Sequence, residues 1–198
     1  MKLLLTSAGF LNKEVSDTFL SLLNKSTGQI HVVFIPTASR TEHELRYVEE
    51  SRQELVDLGI TNITTLSLDR KVTAEEINSA DAIYVCGGNT FYLLQKIRES
   101  GLDQLLPSFG GLYVGVSAGS IVVGPNIEVS GPWDENDVNL SDTTGIKIVD
   151  FAVVPHYQRK DQAIVENLKS RADYEIMELT DNQAVLVENG ERKIIGLP

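Results

Sequence analysis

The sequence has very little cysteine, since Cys86 is the only one in 198 residues. One thiol cannot form a disulfide within the chain, and such low use of cysteine suits a reducing compartment. Long apolar runs are missing too, because no stretch approaches the ~20 residues that a membrane-spanning helix requires. The apolar start at residues 3–5 gives way to Ser7-Ala8-Gly9, which makes it too short for a signal peptide. We therefore expect a cytoplasmic protein.

Positive charge is also in short supply, with 17 lysines and arginines against 28 aspartates and glutamates and a net charge of −11. This excess of anionic groups disfavours nucleic acid and anionic membranes as partners. The three histidines are scattered, and neither an HExxH motif nor a paired-cysteine spacing occurs. The sequence thus predicts no metal and no cofactor, and it leaves the oligomeric state open.

Apolar segments that suit buried strands alternate with amphipathic segments that suit helices. The predicted strands cover residues 2–6, 29–35, 62–66, 82–86 and 112–114, and the predicted helices cover 12–24, 42–58, a short stretch from 73, and 89–99. This alternation predicts an α/β three-layer sandwich with a mainly parallel sheet. A length of 198 residues predicts a single domain, 1–198.

The pattern changes after the first 123 residues. The sequence predicts a strand at 126–130, a polar loop at 131–142 and an apolar, β-rich segment at 146–154. A helix at 161–170 and a terminal hairpin follow, and Asn189-Gly190 is a typical residue pair for the hairpin turn.

A G-x-S-x-G motif at residues 115–119 follows the last of the five predicted parallel strands. In a nucleophile elbow, the serine occupies a strained strand-to-helix turn, and its hydroxyl is exposed at the carboxyl edge of the sheet. The residues two before and two after the serine approach each other closely, so both must lack a side chain. The helix that follows directs free N–H groups at the same point, where an oxyanion can bind. Ser117 is therefore the predicted nucleophile.

A serine nucleophile needs a base, and the sequence offers three histidines. His31 lies in a predicted buried strand, and His43 lies early in a charged helix, so neither is favoured. His156 follows the β-rich segment, where the carboxyl edge of the sheet is expected, and this edge holds the site in open α/β sheets. We predict that His156 is the base.

The remaining groups of such a site are a carboxylate for the histidine and a second oxyanion donor. The polar loop supplies four candidate acids, and the residue pattern does not choose among them: Asp134, Glu135, Asp137 and Asp142. The Gly87-Gly88 pair ends a neighbouring strand, and glycine lets the backbone approach a substrate closely. Asn89, next to this pair, is a candidate for substrate binding and for helix capping.

Three segments of the chain resemble those of the dipeptidase E and cyanophycinase family of serine peptidases. They are residues 86–91, residues 115–119 and Pro155-His156-Tyr157, in the same order and with similar spacing. Residues 3–7 and 34–38 are also similar, so the resemblance covers nearly the whole chain. It implies a fold like that of class I glutamine amidotransferases, with serine in place of their cysteine.

The resemblance implies roles for individual residues. Ser117 would be the nucleophile, His156 the base, and the N–H groups of Gly88 and Ala118 the oxyanion hole. In dipeptidase E an aspartate upstream of the histidine completes the triad, and counting back from His156 places Asp134 at that position. The implied activity is hydrolysis of small peptides through an acyl-enzyme.

One departure from the family pattern concerns specificity. The dipeptidase E subgroup that removes N-terminal aspartate uses an arginine in a longer loop after the histidine, whereas here Gln158-Arg159-Lys160 leads directly into a helix. Arg159 or Lys160 is a candidate for meeting an acidic substrate, but neither matches the motif. A carboxypeptidase-like preference and a poly-amino-acid amide substrate both stay open.

Two further alternatives share the same predicted geometry. One is an esterase or an amidase that acts on a non-peptide amide. The other is a catalytically silent binding module that keeps the fold, in which Ser117 would not react with a serine-directed probe.

Overall fold

Nine strands and seven helices follow one another in the computed structural model, which describes residues 1–198. The strands are β1 (Lys2–Thr6), β2 (His31–Ile35), β3 (Asn62–Thr65), β4 (Ala82–Val85), β5 (Leu112–Val116), β6 (Phe151–Val154), β7 (Glu175–Glu178), β8 (Ala184–Glu188) and β9 (Glu191–Ile195). The helices are α1 (Lys13–Leu23), α2 (Glu42–Asp57), α3 (Ala74–Asn78), α4 (Thr90–Ser100), α5 (Leu102–Leu105), α6 (Ala118–Ile121) and α7 (Gln162–Arg171). None of the helices combines enough length with enough apolar residues to cross a bilayer.

Seven of the strands form one sheet in the order β3-β2-β4-β5-β1-β8-β9. The first five strands in this order pair in parallel, whereas β8 and β9 add antiparallel strands at one edge. The predicted α/β class with a mainly parallel sheet is therefore confirmed. A second, two-stranded sheet pairs β6 with β7 in parallel.

Alternating side chains of the strands enter two separate cores, one on each face of the large sheet. Val32 and Phe34 pack with α1 and α2 on one face. Val33 and Ile35 pack on the other face with the apolar sides of α4 to α7 and with the small sheet. The result is three layers, and the small sheet lies in the same layer as α6, next to the carboxyl ends of the parallel strands.

Side-chain caps begin several of these helices where the sequence predicts them. Asn12 accepts a hydrogen bond from the N–H of Glu14 at the start of α1. Thr73 forms a capping box with Glu76 at the start of α3. Such caps satisfy N–H groups that have no partner inside the helix.

The segment between α6 and β6 differs from its prediction. Residues 126–130 form an isolated bridge from Asn126 to Thr144 and a 3-10 turn over Glu128–Ser130, so the predicted strand is wrong. Only Phe151–Val154 of the apolar segment 146–154 pairs as a strand. Strand β7 was not predicted, because the sequence Glu175-Ile176-Met177-Glu178 has no apolar run.

Candidate active site

The G-x-S-x-G motif forms a sharp turn between β5 and α6. Ser117 adopts φ 49° and ψ −110°, a strained conformation for a residue with a side chain. A Cβ on Gly115 would lie 2.5 Å from the carbonyl oxygen of Gly119, and a Cβ on Gly119 would overlap the carbonyl oxygen of Val85. Both positions therefore require glycine, as the motif predicts, and the turn leaves Ser117 partly exposed above buried neighbours.

Buried hydroxyl groups fix this turn from below. The Ser120 hydroxyl lies 2.8 Å from the carbonyl oxygens of both Thr6 and Gly115 and shares its one proton between them. The Tyr113 hydroxyl donates to the carbonyl oxygen of Gly119 at 2.7 Å. Because these groups are buried, their hydrogen bonds hold the backbone on both sides of Ser117.

The imidazole of His156 lies against the nucleophile. Its Nε2 is 3.0 Å from the Ser117 Oγ, within reach for proton transfer. His156 follows β6 with φ 57°, a left-handed conformation that turns its side chain toward the end of β5. The other two histidines lie elsewhere: His31 is bonded to Ser79 and Thr64, and His43 is exposed next to Tyr47.

The other ring nitrogen of His156 is bonded to an acid that the sequence did not predict. Nδ1 is 2.6 Å from the Asp181 Oδ1. Asp181 lies three residues after β7, and β7 pairs in parallel with β6, which precedes His156. Parallel pairing brings the carboxyl ends of the two strands to one edge, so the residues that follow them become neighbours.

A buried serine connects this histidine and this aspartate. The Ser7 Oγ accepts a hydrogen bond from the backbone N–H of His156 at 2.7 Å and donates to Asp181 Oδ1 at 3.2 Å. Ser7 is fully buried at the end of β1, whereas the His156 and Asp181 side chains are about half exposed. One hydroxyl of the large sheet therefore positions both members of the pair.

Asp134, which was expected to orient His156, makes a different contact. Its Oδ2 accepts a hydrogen bond from the N–H of Thr90 at 2.9 Å, at the first residue of α4. Free N–H groups and the helix dipole attract a carboxylate to this place. Burial raises the pKa of the Asp134 carboxyl, and the hydrogen bond from the Thr90 N–H only partly opposes this effect. The expected hydrogen bond between Asp134 and His156 is thus replaced by that of Asp181.

The other three candidate acids of the polar loop also lie away from the imidazole. Asp137 pairs with Arg40, and Asp142 pairs with Arg98. Glu135 is exposed, and only its backbone oxygen takes part in the site, as an acceptor for Asn89.

The Gly87-Gly88 turn lies directly beside the nucleophile. A Cβ on Gly87 would be 3.1 Å from the Ser117 Cβ, so the backbone of this turn is in contact with the elbow. Gly88 has φ 134°, and a Cβ there would overlap the carbonyl group of Ala38, which explains the glycine. The Gly88 N–H donates no hydrogen bond, and Ala118 is the first residue of α6, where an N–H has no partner inside the helix.

Asn89 is occupied by the protein itself. Its Oδ1 accepts a hydrogen bond from the N–H of Tyr92 at 2.9 Å, which caps α4. Its Nδ2 donates to the backbone oxygen of Glu135 at 2.7 Å. The side chain therefore anchors the polar loop to the Gly87-Gly88 turn. Of the two roles predicted for Asn89, helix capping is the one that its contacts match.

Two cavities meet at Ser117 and His156. The smaller one, about 250 Å³, is called the Trp133 cavity and is lined by Thr90, Ile121, Val129, Ser130, Trp133, Asp134, Pro155, Gln158, Lys160 and Asp161 besides the shared pair. The larger one, about 470 Å³, is called the Glu54 cavity and is lined by residues of α2, the Gly87-Gly88 turn, Ala8, Leu11, Ser39, Cys86, Val116 and Asp181. Lys160 lines the Trp133 cavity, whereas Arg159, the predicted substrate-binding cation, lines neither.

The cysteine and the metal-ligating types of side chain add no further catalytic group to this site. Burial raises the pKa of the Cys86 thiol strongly, so it stays protonated and is a poor nucleophile. No three His, Cys, Asp or Glu side chains converge in a way that would hold a metal ion.

Comparison with known proteins extends over nearly the whole chain. The sequence profile of Peptidase family S51 matches residues 3–195. The chain is 33% identical over 205 residues to Uncharacterized peptidase Lmo0363 of Listeria monocytogenes serovar 1/2a, and the match covers 96% of this chain and 97% of that protein. Peptidase E of Salmonella heidelberg is 30% identical over 211 residues, which cover 98% of this chain and 89% of that relative.

A solved structure shows the same architecture. It is the crystal structure of a protein from Listeria monocytogenes EGD-e that is provisionally named peptidase E. The TM-score is 0.82 at 32% sequence identity, and the match covers 100% of this chain and 98% of the other. The resemblance predicted from the three sequence segments is therefore confirmed.

Proposed function

Because the chain belongs to peptidase family S51 and is thus a serine peptidase, we propose that it hydrolyses small peptides through an acyl-enzyme on Ser117. His156 acts as general base, and Asp181 orients its imidazole. The single observation that carries this proposal is the continuous chain of contacts from the Ser117 Oγ through both nitrogens of His156 to Asp181. A serine hydroxyl becomes a competent nucleophile when a base accepts its proton, and the base works when a carboxylate fixes its tautomer.

The reaction then takes place in two halves. The Ser117 Oγ attacks the scissile carbonyl carbon, and its proton passes to Nε2 of His156. The imidazolium is stabilised by Asp181 at Nδ1 and donates the Nε2 proton to the leaving amine as the C–N bond breaks. A water molecule then attacks the ester carbonyl carbon while His156 accepts its proton, and the imidazolium returns that proton to the Ser117 Oγ as the acyl–oxygen bond breaks and the acid product leaves.

The negative charge on the carbonyl oxygen during each attack requires donors. The N–H groups of Gly88 and Ala118 are proposed for this role. Gly88 lines the same cavity as Ser117, Ala118 follows Ser117 in the chain, and neither N–H donates a hydrogen bond within the protein. Donors that are fixed in advance stabilise the charge as it develops, which contributes several kcal/mol in enzymes of this kind (~3 kcal/mol per donor).

A small peptide suits the dimensions of the site. The cavities on the two sides of the nucleophile have volumes of about 250 and 470 Å³, enough for one or two residues on each side of a scissile bond.

Hydrolysis of a library of di- and tripeptides tests the proposal, with product analysis by chromatography and the Ser117→Ala variant as control. We expect turnover of a subset of the peptides by the wild type and none by the variant. A parallel panel of p-nitrophenyl esters separates a peptidase from an esterase. Cleavage of esters without cleavage of any peptide would contradict the peptide proposal, and reaction with neither panel would favour a silent binding module.

A further inference from the structure

The Glu54 cavity has an unusual charge for a substrate cavity. Three glutamates of α2 line it, Glu44, Glu50 and Glu54, together with Asp181. No lysine or arginine lines it. A negatively charged concave wall beside a nucleophile attracts cations and repels anions.

The three glutamates are not equally available. One oxygen of Glu44 is taken by the N–H groups of Arg40 and Thr41 in the cap of α2. Glu50 makes no hydrogen bond or ion pair within the protein and is exposed. Glu54 accepts one hydrogen bond, from the N–H of Phe10 to Oε2 at 3.0 Å, which leaves its Oε1 without a partner.

Among the three glutamates, Glu54 is the one whose surroundings most disfavour the charged form of its carboxyl when no ligand is bound. Burial raises the pKa of its carboxyl, and the nearby charges of Glu50 and Asp57 raise it further. A cation bound in the cavity would relieve both effects, because it would replace lost hydration and offset the repulsion.

The walls of the cavity fit the stem of a long cationic side chain. Leu11 is 66% exposed and Tyr47 is 55% exposed, and both line the cavity with the buried Val48. Methylene groups of lysine or arginine pack on such apolar surfaces while the charged end stays among polar groups. The Tyr47 ring also offers a face for a cation.

We propose that the Glu54 cavity is the subsite for a lysine or arginine side chain next to the scissile bond, held by the carboxylates of Glu54 and Glu50. This inference rests on the proposed peptide hydrolysis and adds the class of substrate. The Trp133 cavity is less negatively charged, because Lys160 lines it together with its two carboxylates, Asp134 and Asp161.

Matched peptides that differ only in charge test the subsite. Lysine is compared with norleucine, which has a similar stem and no charge, and with glutamate, each placed before or after the scissile bond. For the wild type we expect kcat/KM to be at least about tenfold higher for the lysine peptide than for its norleucine counterpart, in one of the two positions. That position assigns the cavity to one side of the bond.

Three variants of α2 localise the effect. Glu54→Gln and Glu50→Gln should each lower kcat/KM for the lysine peptide, by up to about tenfold, and leave the norleucine peptide nearly unchanged. Glu49→Gln removes the same charge from the same helix at an exposed position outside the cavity, and it should change neither rate. The norleucine rate also reports whether each variant is folded.

The outcomes separate this inference from the function on which it rests. Equal rates for lysine and norleucine peptides, or a lysine preference that survives the Glu50→Gln and Glu54→Gln double variant, would overturn the subsite while peptide hydrolysis stands. If no peptide is cleaved, the proposed function fails. Calorimetric binding of the same peptides to Ser117→Ala then decides the subsite, because tighter binding of lysine supports it and equal binding overturns it.

Discussion

The nucleophile belongs to a different sheet from its two partners, the base and the acid. Ser117 lies on the large sheet, in a turn whose backbone is fixed by close glycine contacts and buried hydroxyl groups. His156 and Asp181 follow the two strands of the small sheet, are about half exposed, and are linked to the large sheet by Ser7. The comparison indicates that buried contacts on several sides position the nucleophile, whereas the alignment of base and acid depends on a few hydrogen bonds.

The largest effect is expected from removal of the nucleophile itself. Ser117→Ala removes the nucleophile and little packing, so kcat/KM for peptides should fall by roughly 10³-fold or more while the melting temperature stays within a few degrees. Peptide hydrolysis and thermal unfolding of the purified variant check both expectations. Turnover near that of the wild type would exclude a serine mechanism.

The next effect separates two aspartates. Asp181→Asn should lower kcat on the order of 10²- to 10⁴-fold, because an amide favours the wrong tautomer of His156 and cannot stabilise its positive charge. Asp134→Asn is the matched control, since its side chain contacts Thr90 instead of the imidazole. Steady-state kinetics of both variants, measured side by side, should show a large loss only for Asp181. A loss confined to Asp134 would return the triad to the acid expected from the sequence.

A smaller effect is expected at Ser7, whose hydroxyl links the large sheet to His156 and Asp181. Ser7→Ala removes both the acceptor for the His156 N–H and the donor to Asp181, so kcat should fall by about tenfold with little change in KM. Ser16→Ala is a suitable control, because Ser16 is also buried but lies on α1. Unchanged kcat in Ser7→Ala would show that the pair is aligned without this hydroxyl.

The smallest effect concerns stability. The raised pKa of Asp134 means that the folded state binds its proton more tightly than the unfolded state, so stability falls as the pH rises through this range. At pH 7 the charged carboxylate is therefore a cost that Asp134→Asn removes. We expect the variant to melt a few degrees above the wild type at pH 7, with a smaller difference near pH 3. A variant that is less stable at pH 7 would contradict this reading.

The parts of the site that could be predicted from the sequence are those set by local backbone requirements. Gly115 and Gly119 predict the elbow because no other residue fits their positions. His156 follows a strand that is apolar and buried throughout. The alternation of strands and helices also predicts the layers, because each element buries an apolar face whose spacing is visible in the local sequence.

Asp181 could not be predicted, because its position depends on pairing between distant segments. Only Ile176 of β7 is fully buried, so the sequence gives a weak signal for that strand. Nothing local shows that β7 pairs with β6, and without this pairing Asp181 is one acid among many. For Asp134 the sequence and the structure disagree. Its spacing from His156 fits the family pattern, but its carboxylate accepts a hydrogen bond at the start of α4 instead of contacting the imidazole.

The reactivity of Ser117 toward a fluorophosphonate probe tests the central claim most directly, because it measures activation of the nucleophile without a peptide substrate. Labelling rates are followed by intact mass for the wild type, His156→Ala, Asp181→Asn and Asp134→Asn, with Ser117→Ala as the unlabelled control. The Ser117–His156–Asp181 arrangement predicts similar rates for the wild type and Asp134→Asn, a much slower rate for Asp181→Asn and almost none for His156→Ala. A slow Asp134→Asn beside an Asp181→Asn that reacts like the wild type would contradict it.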